Sequence, residues 1–72
     1  MRLSRHARNR LRWVARRHPH VTSASVLEAL FTADELGYDE RGNKRLRAQL
    51  EEVTLTLVID AEEAIVITLW VE

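Results

Sequence analysis

The spacing of apolar residues predicts a helix at the start of the chain. An apolar side chain recurs every three or four positions, as on a helix that buries one face. The series is Leu3, Ala7, Leu11 and Val14. Ser4 is a favourable N-cap residue, and Pro19 ends the segment because the residue before a proline avoids the helical conformation. The first helix is therefore predicted from Arg5 to about Arg17.

A second, shorter helix is predicted after the proline. Thr22 is a suitable N-cap, and Val21 and Val26 stand at the two positions of a hydrophobic staple. The apolar residues Val26, Leu27 and Leu30 then face the core, and the helical pattern fades near Ala33.

The apolar period changes to two in the second half of the chain, which indicates β-strands. Alternation begins at Leu36 and Tyr38, before a turn at Gly42-Asn43. It continues in three further segments, Arg45 to Leu50, Val53 to Ile59 and Ile65 to Val71, with an acidic turn from Asp60 to Glu63. Short connections between successive strands predict antiparallel hairpins.

A consistent register places the aliphatic side chains on one face of the predicted sheet. Pairing Leu50 with Val53 sets Ala48 beside Leu55, and pairing Leu57 with Ile67 completes the next hairpin. The two helices must cover this face. We therefore predict a single domain, residues 1–72, of the α+β class, with two N-terminal helices packed on one face of a four-stranded antiparallel sheet.

The opposite face of the sheet is polar and carries side chains that suit a polar ligand. Guanidinium groups bind phosphate, hydroxyls donate hydrogen bonds and an indole stacks on a base. The residues are Arg45, Arg47, Gln49, Thr54, Thr56, Thr68 and Trp70. The alternative interpretation is an ordinary solvated face, since antiparallel sheets often expose one side to water.

Net charge is zero, but the charges are separated along the chain. The first twenty residues contain seven arginines, three histidines and no acid, whereas the rest contains four basic and eleven acidic side chains. A helix so rich in arginine produces a positive field that attracts phosphates. The alternative is that the acids of the same chain neutralise this charge.

A second stripe of the first helix combines a histidine with arginines and a tryptophan. At 100° per residue, His6, Arg10, Trp13 and Arg17 lie together beside the apolar stripe. A histidine at the rim of a sheet can titrate near neutral pH, and its neighbours could hold a phosphodiester and a base. The alternative is that Trp13 covers the edge of the core and His6 forms local hydrogen bonds.

Composition excludes several classes of site. The chain has no cysteine, which rules out disulfides and thiolate metal sites and agrees with a cytoplasmic location. No apolar run approaches the ~20 residues that span a bilayer. His18 and His20 lack further ligands for a metal site and are interpreted as surface residues. We expect neither metal nor cofactor, and the small core predicts self-association, such as a homodimer.

Several motifs together resemble a small prokaryotic family of unknown function that is related to the RelE and BrnT toxins. The opening segment, residues 3–10, is similar to the S-x-H-A-x-x-R start of that family. The later matches are a Val-x-x-Ala-Leu helix (Val26 to Leu30), a Tyr-Asp-x-x-Gly-Asn turn (Tyr38 to Asn43) and a VITLW strand (Val66 to Trp70). In order and spacing they cover nearly the whole chain.

This resemblance implies the barnase–EndoU–colicin–RelE type of fold and a metal-independent ribonuclease, often a toxin that is held by an antitoxin protein. It places the histidine and first arginine of the family at His6 and Arg10. The chain departs from the pattern at Val14, where the family commonly has a second arginine. The acidic second half also differs from a strongly basic, ribosome-directed toxin.

These observations lead to the hypothesis of an endoribonuclease of a toxin–antitoxin or phage-conflict system. His6 is the expected general acid or base, Arg10 and Arg47 stabilise the phosphate in the transition state, and Thr68 donates a hydrogen bond to it. The expected RNA-binding residues are Arg17, Arg45, Trp13 and Trp70. The alternatives are a non-catalytic nucleic-acid-binding module, or a protein-interaction module that uses an exposed sheet edge.

Overall fold

Two helices and five strands make up the chain, and the computed structural model describes all 72 residues. The elements are, in order, β1 (Arg2–Leu3), α1 (Arg5–Arg17), α2 (Ser23–Ala29), a short 3-10 helix (Leu30–Thr32), β2 (Asp34–Tyr38), β3 (Lys44–Leu50), β4 (Val53–Asp60) and β5 (Ile65–Val71). The predicted α+β class is confirmed. Neither helix is long and apolar enough to cross a membrane.

Both helices begin where the sequence predicts. The Ser4 side chain accepts a hydrogen bond from the backbone N–H of Ala7 at the start of α1. At the start of α2, Thr22 and Ser25 form a reciprocal capping box in which each side chain accepts from the backbone N–H of the other. These bonds satisfy donors that would otherwise lack a partner in the first helical turn.

The sheet has five strands and mixed pairing, so the prediction of four antiparallel strands is wrong. Its strand order is β1-β5-β4-β3-β2, and β1 pairs with β5 in parallel. Leu3 lies opposite Val66, and the backbone N–H of Ser4 donates to the Val66 carbonyl at 2.9 Å. A strand of two residues is too short to show alternation, and its partner lies more than sixty residues away in the chain.

The β4–β5 register also differs from the prediction. Leu57 lies opposite Leu69, not Ile67, while the predicted pairs Leu50–Val53 and Ala48–Leu55 are confirmed. There are two causes. The pairing starts one residue later at the turn, where Asp60 lies opposite Ile65, and a β-bulge between Val58–Thr68 and Ile59–Val66 leaves Ile67 as an extra residue of β5. A bulge reverses the alternation of faces. As a result Val66, which is fully buried, takes the core position predicted for Ile67.

The core lies between the helices and one face of the sheet. Ala7 and Leu11 of α1 and Val26 of α2 pack on a continuous layer of aliphatic strand residues. That layer consists of Leu46, Ala48, Leu50, Val53, Leu55, Leu57, Ile59, Val66 and Leu69. The opposite face has no helix over it, although Thr56 and Val58 at its centre are still buried.

The two edges of the sheet differ. Along β5, α1 satisfies outward-facing carbonyls: the Ser4 hydroxyl donates to Ile67 at 2.7 Å, and Arg10 Nε donates to Leu69 at 3.2 Å. At the other edge, all five residues of β2 are exposed. Two acids and a bulge in β2 discourage pairing with a further strand. Self-association remains a prediction.

Ser4 couples α1 to the sheet, so its removal should destabilise the fold. Ser4→Ala loses the N-cap bond and the bond to the Ile67 carbonyl together, and we expect a loss of about 1–2 kcal/mol in the free energy of unfolding. Urea unfolding measures this difference. Ser23→Ala, at the first position of α2, is the matched control and should change stability by less than about 0.5 kcal/mol. Equal effects of the two variants would contradict this role of Ser4.

Candidate nucleic-acid interface

The arginines of α1 lie outside the core because the buried face of the helix is narrow. Only Ala7 and Leu11 of its thirteen residues are fully buried. The remaining positions include six arginines, all of them exposed. The fold therefore exposes the arginines of the basic N-terminal segment on the surface of α1.

No acid of the chain forms an ion pair with these arginines. The structure contains two ion pairs, Lys44–Glu35 at 2.9 Å and Arg47–Glu72 at 2.7 Å, and both lie on the sheet. Direct neutralisation of α1 by the acidic half of the chain, the alternative considered from the sequence, therefore does not occur. The arginine side chains of α1 are therefore available to an anionic partner.

Three of the predicted RNA-binding residues, Trp13, Arg17 and Trp70, meet the predicted catalytic residue Arg10 in one groove at the outer edge of β5. The groove has a volume of about 530 Å³ and contains no acidic side chain. Its walls are Arg10, Trp13, Val14, Arg17, His18, Trp70 and Val71. Residues 53 positions or more apart in the chain, on α1 and β5, thus form a single surface.

The tryptophan of α1 is held in an open position. Trp13 is 67 % exposed, which is unusual for so large an apolar side chain. The guanidinium of Arg16 lies 4.8 Å from the centre of its ring, a cation–π contact. An exposed indole beside arginines is a suitable platform for an unpaired base.

Arg10 has a structural bond as well as a place in the groove. Its Nε donates to the Leu69 carbonyl, which fixes the side chain against the sheet edge. A guanidinium has five N–H donors in a fixed planar arrangement. The bond through Nε leaves the terminal nitrogens for a phosphate, and the anchor reduces the entropy that binding would cost.

The predicted catalytic residues His6, Arg47 and Thr68 and the predicted RNA-binding residue Arg45 do not line this groove. His6 is exposed on α1 and is not among the groove residues. Arg45 and Thr68 line a neighbouring cavity of about 570 Å³, together with Asp39 and Glu40. Trp70 belongs to both cavities, so the two are adjacent.

Arg47 is engaged by an acid. Its Nε donates to a carboxylate oxygen of Glu72, and the Thr56 hydroxyl donates to the same oxygen at 2.9 Å. The hydrogen bonds from Arg47 and Thr56 hold the pKa of Glu72 below its usual range. The charge of Arg47 is thereby compensated within the chain, which weakens its suitability as a phosphate ligand.

His18 is the groove residue that the sequence interpretation missed. It is the C-cap of α1, and its backbone N–H donates to the Val14 carbonyl. It also lines a cavity of about 450 Å³ with Arg47 and Glu72. The available signal is its place directly after Arg17, whereas the sequence interpretation considers His18 only as a metal ligand and, for lack of further ligands, as a surface residue. No cluster of three or more His, Asp or Glu side chains has the arrangement of a metal site.

Comparison of the chain with protein-family models, with curated proteins and with solved structures gives no match. The resemblance to the relatives of RelE and BrnT therefore rests on the motifs alone and remains a prediction.

The lowered pKa of Glu72 predicts an acid-dependent loss of stability. Because the folded state favours the carboxylate, this group stabilises the fold above the ordinary glutamate pKa of about 4.3. That contribution disappears as the pH falls through the lower folded pKa. Arg47→Met should reduce the difference between unfolding free energies at neutral and acidic pH, as measured by urea titrations. Arg45→Met, on the same strand and face but without an ion pair, should leave the difference unchanged. An unaltered pH profile in Arg47→Met would contradict the assignment.

Proposed function

We propose that this chain binds single-stranded RNA in the groove between α1 and β5. The observation that carries the proposal is an acid-free groove with two tryptophans and two arginines, on a helix whose arginines have no acidic partner. The choice of RNA follows the motif resemblance to the family related to RelE and BrnT.

The side chains of the groove fit a single strand better than a duplex. A single strand exposes the flat faces of its bases, and stacking on an aromatic side chain contributes about 1–3 kcal/mol per base. Trp13 and Trp70 supply two such surfaces, while Arg10 and Arg17 are placed for the connecting phosphates. In a duplex the base faces are already stacked, and the indoles would have no partner.

Affinity for RNA should depend on salt through the groove arginines. For single strands, the slope of log affinity against log salt decreases by about 0.7 for each lost phosphate contact. We expect this decrease for Arg17→Gln in fluorescence anisotropy titrations with oligouridylate. Arg41→Gln, an exposed arginine outside the groove, is the control and should leave the slope unchanged. A slope near zero for the unmodified chain would exclude RNA binding.

Base stacking gives a second, salt-independent test. Trp13→Leu should weaken binding by about 1–3 kcal/mol, because the stacking surface is lost. Phe31, which is 90 % exposed and lies on the 3-10 helix, provides the matched control in Phe31→Leu. Equal losses in the two variants would indicate nonspecific hydrophobic contact and contradict stacking in the groove.

A second candidate function is cleavage of the bound RNA, and the position of His18 favours it. Metal-independent cleavage requires deprotonation of a 2′-hydroxyl, protonation of the leaving 5′-oxygen and stabilisation of the phosphorane charge. His18 stands in the same groove as Arg10 and Arg17, and histidine is the side chain that most often transfers protons in catalysis. We therefore propose His18, in place of His6, as the acid–base group of an endoribonuclease toxin, which an antitoxin protein would restrain.

The two histidines can be distinguished by substitution. We expect His18→Ala to reduce cleavage by about 10²–10⁴-fold with little change in RNA affinity, because proton transfer contributes only in the transition state. His6→Ala should have a small effect. Cleavage should persist in chelator and leave a 2′,3′-cyclic phosphate. The reverse pattern would restore the original assignment to His6, and the absence of cleavage in every RNA tested would leave binding as the function.

A further inference from the structure

A second acid-free cavity lies at the other end of α1. It has a volume of about 490 Å³, and its polar wall includes Arg2, Arg5, Arg8 and Ser23. Leu27 of α2 and Ile65 of β5 form part of its apolar wall. Three guanidinium groups without a carboxylate among them concentrate positive charge at this cavity, and guanidinium binds phosphate through paired hydrogen bonds.

This cavity and the tryptophan groove lie on opposite flanks of α1. At 100° per residue, Arg5 and Arg8 of the cavity lie on one side of the buried stripe of α1, and Arg10 and Arg17 of the groove lie on the other side. A strand that occupies both must therefore cross the exposed surface of the helix.

A row of three arginines connects the two sites. Arg8, Arg12 and Arg16 are spaced by four residues and are all exposed. Such a row slopes across the helix surface, and each step advances about 6 Å along the axis. The guanidinium of Arg16 stacks on Trp13 of the groove, and Arg8 belongs to the wall of the cavity. The row thus begins at one site and ends at the other.

We propose that the cavity formed by Arg2, Arg5 and Arg8 is a second phosphate site for the same RNA strand. The strand stacks its bases in the tryptophan groove, crosses α1 along Arg16 and Arg12, and places a further phosphodiester in the cavity. This inference rests on the proposed RNA binding and specifies its ligand as a single strand of about four nucleotides or more, the smallest site size common among single-strand-binding modules.

The length dependence of binding tests the proposal. The probes are oligouridylates of two to eight nucleotides with a 5′-hydroxyl, titrated against the full chain. Affinity should rise from the dinucleotide to the octamer. In the variant Arg2→Gln/Arg5→Gln/Arg8→Gln, the dinucleotide should bind as before, whereas octamer affinity should fall at least tenfold. Arg41→Gln/Lys44→Gln, on the β2–β3 hairpin, removes positive charge outside both sites and should keep the length dependence. Circular dichroism confirms that each variant is folded.

Three outcomes of these titrations would overturn the proposal. Equal losses for dinucleotide and octamer would indicate a general electrostatic effect. A gain restricted to 5′-phosphorylated octamer would assign the cavity to a terminal phosphate and not to a continuing strand. Tighter binding of duplex than of single-stranded RNA would exclude the path over α1.

A titration with inorganic pyrophosphate separates this proposal from RNA binding as a whole. We expect the backbone NMR signals of Arg5 and Ser23, at the wall of the cavity, to shift. If no oligonucleotide binds the unmodified chain, both the proposed function and the strand path fail, even where pyrophosphate shifts these signals. If oligonucleotides bind but pyrophosphate shifts no signal around the cavity, only the second phosphate site fails.

Discussion

The packing of α1 against the outer edge of β5 is the constraint on which the rest of the structure depends. Leu3 pairs in parallel with Val66, the Ser4 hydroxyl bonds to the Ile67 carbonyl, and Arg10 bonds to the Leu69 carbonyl. These contacts fix the helix both along and across the strand. They also cover backbone acceptors that an edge strand would otherwise leave to solvent or to another chain.

The packing of α1 on β5 also determines which surface the chain exposes to a partner. A helix that buries only Ala7 and Leu11 must place its arginines outside. The ion pairs of the chain lie on the sheet and leave α1 uncompensated. Charge separation in the sequence thus becomes charge separation in space, and the groove between Trp13 and Trp70 lies at the basic side. RNA binding, as proposed, uses this side, whereas the exposed strand β2 lies at the opposite edge.

Much of the fold could be predicted from local patterns. The caps at Ser4 and Thr22 follow from side-chain chemistry, and the hairpin around Leu50 and Val53 follows from alternation and a short turn. The parallel strand and the bulge at Ile67 could not be predicted, because both arise from pairing between distant segments. The alternation within one strand does not show which of its residues will lack a paired residue in the neighbouring strand.

The candidate site likewise has some features that follow from one element alone and others that depend on contacts between distant segments. Arg10, Trp13 and Arg17 share a helical stripe, so their proximity follows from the helix alone, and Trp70 joins them because β5 runs beside α1. His6 lies on α1, whereas Arg47 lies on β3 and pairs with Glu72, so the pattern of neither element could show whether the two residues meet. The engagement of Arg47 by Glu72 depends on the paired geometry of three strands. His18 enters the groove because α1 extends to its last turn along β5.

The most direct test of this account is photochemical crosslinking of the chain to an oligouridylate that contains 4-thiouridine, followed by digestion after glutamate and mass spectrometry. Cleavage after glutamate yields residues 1–28 as one peptide, with all of α1, and residues 64–72 as another, with Trp70. The account predicts crosslinks on these two peptides. Crosslinks confined to residues 29–63, on the acidic strands and loops, would contradict it.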